Sequence, residues 1–400
     1  GVAETGLLAF LIEQLWDCAG ASQNEPMNLW NTGMSKDDLS IAVMPFRNLS
    51  PESDTEYFVN GFVEDLTANL TRFPSLRVLA IESTFALGDT GQSIDDYAVR
   101  WGLHFVLQGS VRRGDLEFRV GVQLIRLPGR DTIWAERFDA PMEKVFAVQD
   151  EIAATVAGQL AVHVDDARLE GTRGRSHESL PAYDCWLRGM ECLKRGTLEG
   201  DEESRQFFEQ ALQIDSEYAR GYAGLSLSHF NEWTCHAWHL WDESERNAFD
   251  YASQAAQLDD SDAMVQSVLA RVCRFRHQHS KADRHADRAL ALNPNDSHVL
   301  IQVATAKLFG GEFEDGCALA CRACELNPLH GDWYLGIVGW NLFMMRRYDE
   351  ALGYLEKGGE TIVNFPAYRA ACAAIAGDLA RAQNEYQLFV REYRNKIAFG

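Results

Sequence analysis

From Leu39 onward, apolar residues fall into short runs and alternations. LSIAVMPF (39–46) is a near-continuous apolar run ending at Pro45 and predicts a buried strand, followed by RNLSPESD as a loop with a Ser-Pro break. Phe58, Phe62, Leu66, Leu70 and Phe73 then recur at helical spacing until Pro74 stops the helix. Leu76–Ile81 predicts a second short strand, and Ile94–Trp101 a second helix closed by Gly102. Three β-rich runs follow at 103–113, 116–127 and 132–139, with Gly114-Asp115 and Pro128-Gly129 between them as turn residues. In the middle run Phe118, Val120, Val122 and Leu124 alternate with Glu117, Arg119 and Gln123, as in an antiparallel strand with one wet face. A helix over Glu143–Val164 completes an α/β domain with a mixed sheet, spanning 39–166. Ahead of it, 1–38 reads as a short amphipathic segment, Leu7–Trp16, and a linker.

After the polar stretch 167–179, which reads as a linker, the apolar spacing becomes helical and a phrase repeats. DRALALNPND (287–296) is followed by CRACELNPLH (321–330), so Ala289 and Ala323, like Pro294 and Pro328, stand 34 residues apart. A helical period of 34 points to tetratricopeptide repeats. Counted back from Pro294, Leu269, Ala270, Ala282 and Ala289 take the large and small positions of that repeat; from Pro328 the set is Val303, Ala304, Gly316 and Ala323, with Gly316 in the usual alanine place. Further helical pairs at 183–214, 219–258, 332–358 and 366–393 give about five or six hairpins over 180–395, an all-α superhelix. Ala211 and Ala255 are 44 residues apart, which predicts an insertion of about ten residues around NEWTCHAWHLWDES (231–244).

IAVMPFRNLS, YFVNGFVEDLTANLTRFPSLRVLA, FVLQGSVRR, IWAERFD and FAVQDEIA, in that order, resemble the TolB amino-terminal-like domain of bacterial signalling proteins. The resemblance implies that such a domain is followed by tetratricopeptide repeats and preceded by a class III adenylate/guanylate cyclase domain or a winged-helix DNA-binding domain. It carries no catalytic residue onto this chain, because the shared motifs are strand, turn and helix-packing positions. The sequence begins with Gly1 rather than Met, so further sequence is expected upstream.

Composition narrows the function. A hydrophobic fraction of 46% in 400 residues supports a folded chain of two or three domains. A net charge of −22 argues against direct nucleic-acid binding by this chain, which needs a cationic surface to release counterions. The longest apolar run, Leu7–Ile12, falls far short of the roughly 20 residues that cross a bilayer. Nine cysteines, odd in number and without framework spacing, fit a reducing cytoplasm. Cys317, Cys321 and Cys324 share one helical face and read as small packing residues rather than a metal set.

The candidate chemistry lies in the insertion, where Trp233, Trp238 and Trp241 stand beside Cys235, His236 and His239. The tryptophans can pack the array or contact a partner, since binding energy concentrates on aromatic residues. The Cys-His-x-x-His spacing matches no standard zinc site and lacks a fourth ligand. His277, His279 and His285, with Arg274 and Arg276, read as a solvated surface. Arg112-Arg113 and Arg346-Arg347 read as turn and helix-end charges. No phosphate-loop or nucleophile-elbow motif stands in a usable context, so neither catalysis nor a cofactor or metal is expected. The expected role is a regulatory scaffold whose concave face takes a protein or peptide through the insertion tryptophans, His229 and Lys307. A homodimer stays open, as do the cyclase-linked and winged-helix-linked alternatives.

Overall fold

The computed structural model describes residues 39–50, 55–73, 76–90, 95, 101–114, 116–161, 180–193, 195–236, 241–328, 330–359 and 362–396. The segments expected at Leu7–Trp16 and 167–179, most of the helix expected at 94–101, and residues Trp238 and His239 lie outside them.

The mixed sheet comprises β1 (Leu39–Val43), β2 (Arg47–Asn48), β3 (Leu76–Leu79), β4 (Phe105–Arg113), β5 (Glu117–Arg126) and β6 (Asp131–Pro141). Its order is β3-β1-β4-β5-β6, with β2 beside β4. β3, β1 and β4 run parallel, while β4, β5 and β6 form an antiparallel meander. Helices α1 (Glu56–Thr71) and α3 (Val145–Ala161) bury one sheet face: Phe58, Phe62, Leu66, Ile152 and Val156 pack with Phe118, Val120, Val122 and Leu124. The alternation in β5 is thus the boundary between core and open face.

One element differs from the local pattern. Ile81, expected to end a strand, instead opens helix α2 (Ile81–Thr90). β3 stops at Leu79 because the Ala80 N–H donates to the Leu326 carbonyl, 2.6 Å away in the repeat array, while the Ala80 carbonyl starts the helix by accepting from Ser83 and Thr84. A contact remote in sequence ends the strand.

Six antiparallel hairpins follow among the described residues. They are α4/α5 (Leu180–Leu193, Leu198–Ile214), α6/α7 (Ala219–Asn231, Trp241–Leu258), α8/α9 (Ala263–Phe275, His279–Leu292), α10/α11 (Ser297–Leu308, Phe313–Leu326), α12/α13 (Trp333–Met344, Tyr348–Lys357) and α14/α15 (Phe365–Ile375, Leu379–Lys396). The 34-residue period recurs in the caps: Asp262 accepts from the N–H groups of Met264 and Val265, and Asp296 from those of His298 and Val299. Ala282, Ala289, Ala320 and Ala323 are fully buried where helices meet. Gly316 stands in the alanine position because Asn341 fills that space; a Cβ there would lie 2.5 Å from the Asn341 Oδ1. The chain is therefore a mixed-sheet α/β unit followed by an all-α tetratricopeptide-type superhelix.

The insertion forms a five-residue π-helical turn, Glu232–His236, between α6 and α7. It places Trp233 in the core, in edge-on contact with Phe230, Phe275 and Trp241.

Candidate interdomain binding site

The α/β unit lies against the repeat array, and the contact begins at a glycine. A Cβ on Gly61 would lie 2.1 Å from Leu187 Cδ1, so α1 and α4 cross too closely for any other residue without rearrangement. At this crossing the buried Tyr183 hydroxyl donates to the Gly61 carbonyl at 2.8 Å. Burial, and then the nearby Asp65 carboxylate, push that hydroxyl well above its usual pKa, so it stays a neutral donor. Arg220 of α6 joins the units, reaching Asp65 of α1 at 3.2 Å and the capping Asp262 at 2.7 Å, with its guanidinium 4.9 Å from the Trp186 ring centroid. On α4, Asp184 also accepts from Tyr57 and Arg113 of the α/β unit, each at 3.1 Å.

The LNP phrases supply the next set of contacts. Asn293 donates to the Ala68 carbonyl at 3.3 Å, and Asn295 to those of Phe73 and Leu76 at 3.3 and 3.2 Å. Asn327, 34 residues after Asn293, accepts from the Ser83 hydroxyl at 2.6 Å and donates to Glu82 at 3.2 Å. Asn293 and Asn327 close helices α9 and α11, and the same ends dock on the α/β unit. The 34-residue spacing marks the phrase as a repeat element; its docking role depends on partners more than 200 residues away, which no local pattern reports.

Between the docked α/β unit and the first helices of the hairpins lies a cavity of about 1340 Å³. Its repeat-side wall is aromatic. Phe230, Phe275, Phe309, Trp340 and Tyr368 form a continuous chain of rings, with successive centroids 4.4 to 5.2 Å apart. Phe275 and Phe309 hold the same place in successive repeats, 34 residues apart, whereas Phe230, Trp340 and Tyr368 reach the wall from other positions of their hairpins. Arg271 lies 4.0 Å over the Phe230 ring, and Arg274 is held by His279, Asp283 and Glu312. Gly310 makes room for Arg274, since a Cβ there would lie 2.8 Å from its guanidinium carbon. Thr67, Ala68, Thr71 and Glu82 line the opposite, α/β side. The indole N–H groups of Trp186 and Trp233, both buried and both lining the cavity, meet no acceptor among the described residues.

The structure places Trp233 and Trp241 on this wall, Trp233 2% exposed and Trp241 44% exposed. His229 and Lys307 stand outside the cavity: His229 bonds Glu232 and stacks on Tyr251, and Lys307 pairs with Glu312. Arg274, expected on a solvated surface with its neighbouring histidines, is a correction. It is 4% exposed, because its charge is met within the array and Gly310 leaves room for it. Cys317, Cys321 and Cys324 are buried; the bond with Cys321, then burial, push the Cys317 thiol up, and burial pushes Cys324 up. No group of His, Cys, Asp or Glu among the described residues has a metal-binding arrangement.

No family model matches the chain. It is similar to a curated Rhizobium meliloti (strain 1021) protein provisionally named adenylate cyclase 3, 32% identical over 198 residues. That alignment takes in 48% of this chain, which spans about a third of the relative's length, 34%. Among solved structures it is similar to the human IFIT1 dimer with m7Gppp-AAAA, with TM-score 0.45 and 15% identity over 61% of this chain and 56% of that one. It is also similar to the Cut9–Hcn1 hetero-tetramer of APC/C, with TM-score 0.45 and 12% identity over 86% of this chain and 54% of that one. A third is PilW, a type IV pilus biogenesis factor, with TM-score 0.40 and 11% identity over 55% of this chain and 94% of that one. Among the described residues no helix is long and apolar enough to cross a membrane.

Proposed function

We propose that the chain is a non-catalytic regulatory and scaffolding module of a cytoplasmic bacterial signalling protein. Its TolB-like α/β unit is held across the mouth of the repeat array, and a protein or peptide partner enters the cavity between them. The observation that carries this reading is the pair of buried indole donors, Trp186 and Trp233, on the aromatic wall of that cavity. Buried donors normally have acceptors, and a peptide backbone carries one at every residue. The exposed ring of Trp241 beside Trp233 is the first contact for an arriving chain. The cysteines described at 185, 192, 273, 317, 321, 324 and 372 are free thiols, which supports the reducing compartment.

Photo-crosslinking in the source cell tests the cavity. A benzophenone side chain at position 241 is expected to trap a partner whose crosslinked peptide maps to the cavity, while one at the exposed position 375 traps none. Equal trapping at both positions rejects the reading.

The match to the provisional cyclase favours a second reading, that the module regulates a class III adenylate/guanylate cyclase domain encoded upstream. Cyclic nucleotide formation by the longer encoded protein, with and without Arg220→Ala, tests it. Unchanged activity in the loosened variant would reject this regulatory role.

A further inference from the structure

The helices α1 and α3 cover one face of the sheet, and strand register determines what stands on the other. Arg47 is opposite Ser110, Ser110 opposite Gly121, and Gly121 opposite Arg137, so one row crosses β2, β4, β5 and β6. At about 4.8 Å per strand, its two end arginines stand roughly 14 Å apart, within inward reach of their long side chains. Between them lie only a hydroxyl and a bare backbone. Two residues along, Arg112 is directly opposite Arg119, which is opposite Asp139.

Three arginines thus line a small floor in a chain of net charge −22, with Arg47 at the end of its row and one carboxylate in the same two rows. Like charges directly opposed across strands destabilise the pair, and the one carboxylate here, Asp139, is shared by Arg119 and Arg137 and leaves Arg112 uncompensated in its row. Three of these side chains are also oriented by hydrogen bonds, with those of Arg119 and Arg137 51% and 66% exposed and open to a ligand from solvent. Arg112 donates from Nε to the Leu49 carbonyl at 3.1 Å, Arg119 from Nε to Asp139, and the Arg137 Nε lies 3.1 Å from Asp139. Anchored through Nε, a guanidinium keeps its two-nitrogen end for the fork geometry that suits a tetrahedral oxyanion. A cavity of about 170 Å³ lies here, lined by Ser110, Gly121, Leu49 and three of the arginines. That is the liquid volume of roughly five or six waters, room for one five-atom oxyanion with part of its hydration.

We propose that this face of β4, β5 and β6 is a binding site for the phosphate group of a small molecule, gripped by Arg112, Arg119 and Arg137 over the Ser110–Gly121 floor. The site lies on the open sheet face and is independent of the interdomain cavity. Bound phosphate relieves the repulsion between Arg112 and Arg119, so occupancy stabilises the antiparallel meander.

The test is calorimetric titration of the full chain with inorganic phosphate and, separately, with glycerol 3-phosphate, at ionic strength held constant with chloride. We expect saturable one-site binding of at least one of them, weakened about tenfold or more in Arg119→Gln/Arg137→Gln. The double variant should unfold at the same or a higher temperature than the parent without phosphate, and should lose the upward shift that phosphate gives the parent. Arg381→Gln, on α15, should bind as the parent does. Binding of inorganic phosphate identifies a free-anion site, and binding of the ester alone identifies a phosphomonoester site. Binding of neither, or undiminished affinity in a folded double variant, overturns the proposal. If the double variant does not fold, Gly121→Asp decides, because its Cβ meets only Ser110 Oγ at 3.5 Å and its carboxylate must expel an anion. Undiminished affinity there overturns the proposal as well.

Discussion

Arg220 and Asp65 stand 155 residues apart in sequence and meet at 3.2 Å, with both side chains less than a tenth exposed. The same guanidinium holds Asp262, the N-cap of α8, at 2.7 Å. One side chain therefore caps a repeat indirectly and fastens the α/β unit to the array.

Removing that side chain leaves two buried carboxylates without their counter-ion. Breaking a buried pair in this way costs about 3–5 kcal/mol, whereas a hydrophobic replacement of the whole group need not. Arg220→Ala should lower stability by that amount in urea denaturation. Arg220→Met with Asp65→Leu and Asp262→Asn should recover most of it. Because the ion pair joins the units, Arg220→Ala should also separate unfolding into two transitions when α/β and repeat probes are compared.

Asn295 bonds two backbone carbonyls of the α/β unit, those of Leu76 and of Phe73, the latter also accepting from the Leu76 N–H. Asn295→Ala should cost about 0.5–1.5 kcal/mol for each hydrogen bond it removes. Amide exchange should accelerate in β3 and α2 and remain unchanged in β5 and β6. Uniform acceleration would assign the residue to global stability instead.

Gly61 allows α1 to cross α4. Gly61→Val should overpack the crossing against Leu187 and cost about 1–3 kcal/mol. Leu187→Ala in the same chain should restore part of that loss, so a double-mutant cycle must show coupling between the two sites.

The insertion tryptophans should separate by burial. Trp233→Ala opens a cavity among Phe230, Phe275 and Trp241 and should cost about 3–5 kcal/mol. Trp241→Ala removes a ring 44% exposed and should change stability by less than about 1 kcal/mol while weakening partner crosslinking. Thermal unfolding and the crosslinking yield together check the pair.

His285 donates from Nδ1 to the Gln266 Oε1 at 2.8 Å between α8 and α9, and burial, then the charges of Arg284 and Lys281, lower its pKa below the usual value. A lowered folded-state pKa means that the unfolded chain binds the proton first. The stability associated with neutral His285 is therefore fully present above about pH 6.5 and is lost as pH falls through the folded-state pKa. His285→Gln should flatten that part of the stability–pH curve, measured as the difference from the parent. Imidazole resonances of His285 in the parent should titrate below those of a denatured control.

Periodicity made much of the fold legible. The 34-residue phrase located α8 to α11, and the β5 alternation separated core from open face, because each reports a residue's own element and its immediate neighbour. Gly316 could be placed in an alanine position but not explained, since the reason is Asn341, from the next repeat. Ile81 reads as the end of a strand but opens α2, because the end of β3 depends on the Leu326 carbonyl.

For the candidate site, the sequence by itself determined that aromatic residues concentrate in the insertion. Only the tertiary structure decided which of them face a cavity, and that the cavity's other wall is the chain's own α/β unit. Local pattern encodes which face of a helix is apolar, through short-range spacing and side-chain direction. Docking one unit on another depends on matched positions far apart in sequence, such as Gly61 with Leu187, Arg220 with Asp65, and Asn327 with Ser83, and no single-element periodicity records such pairs.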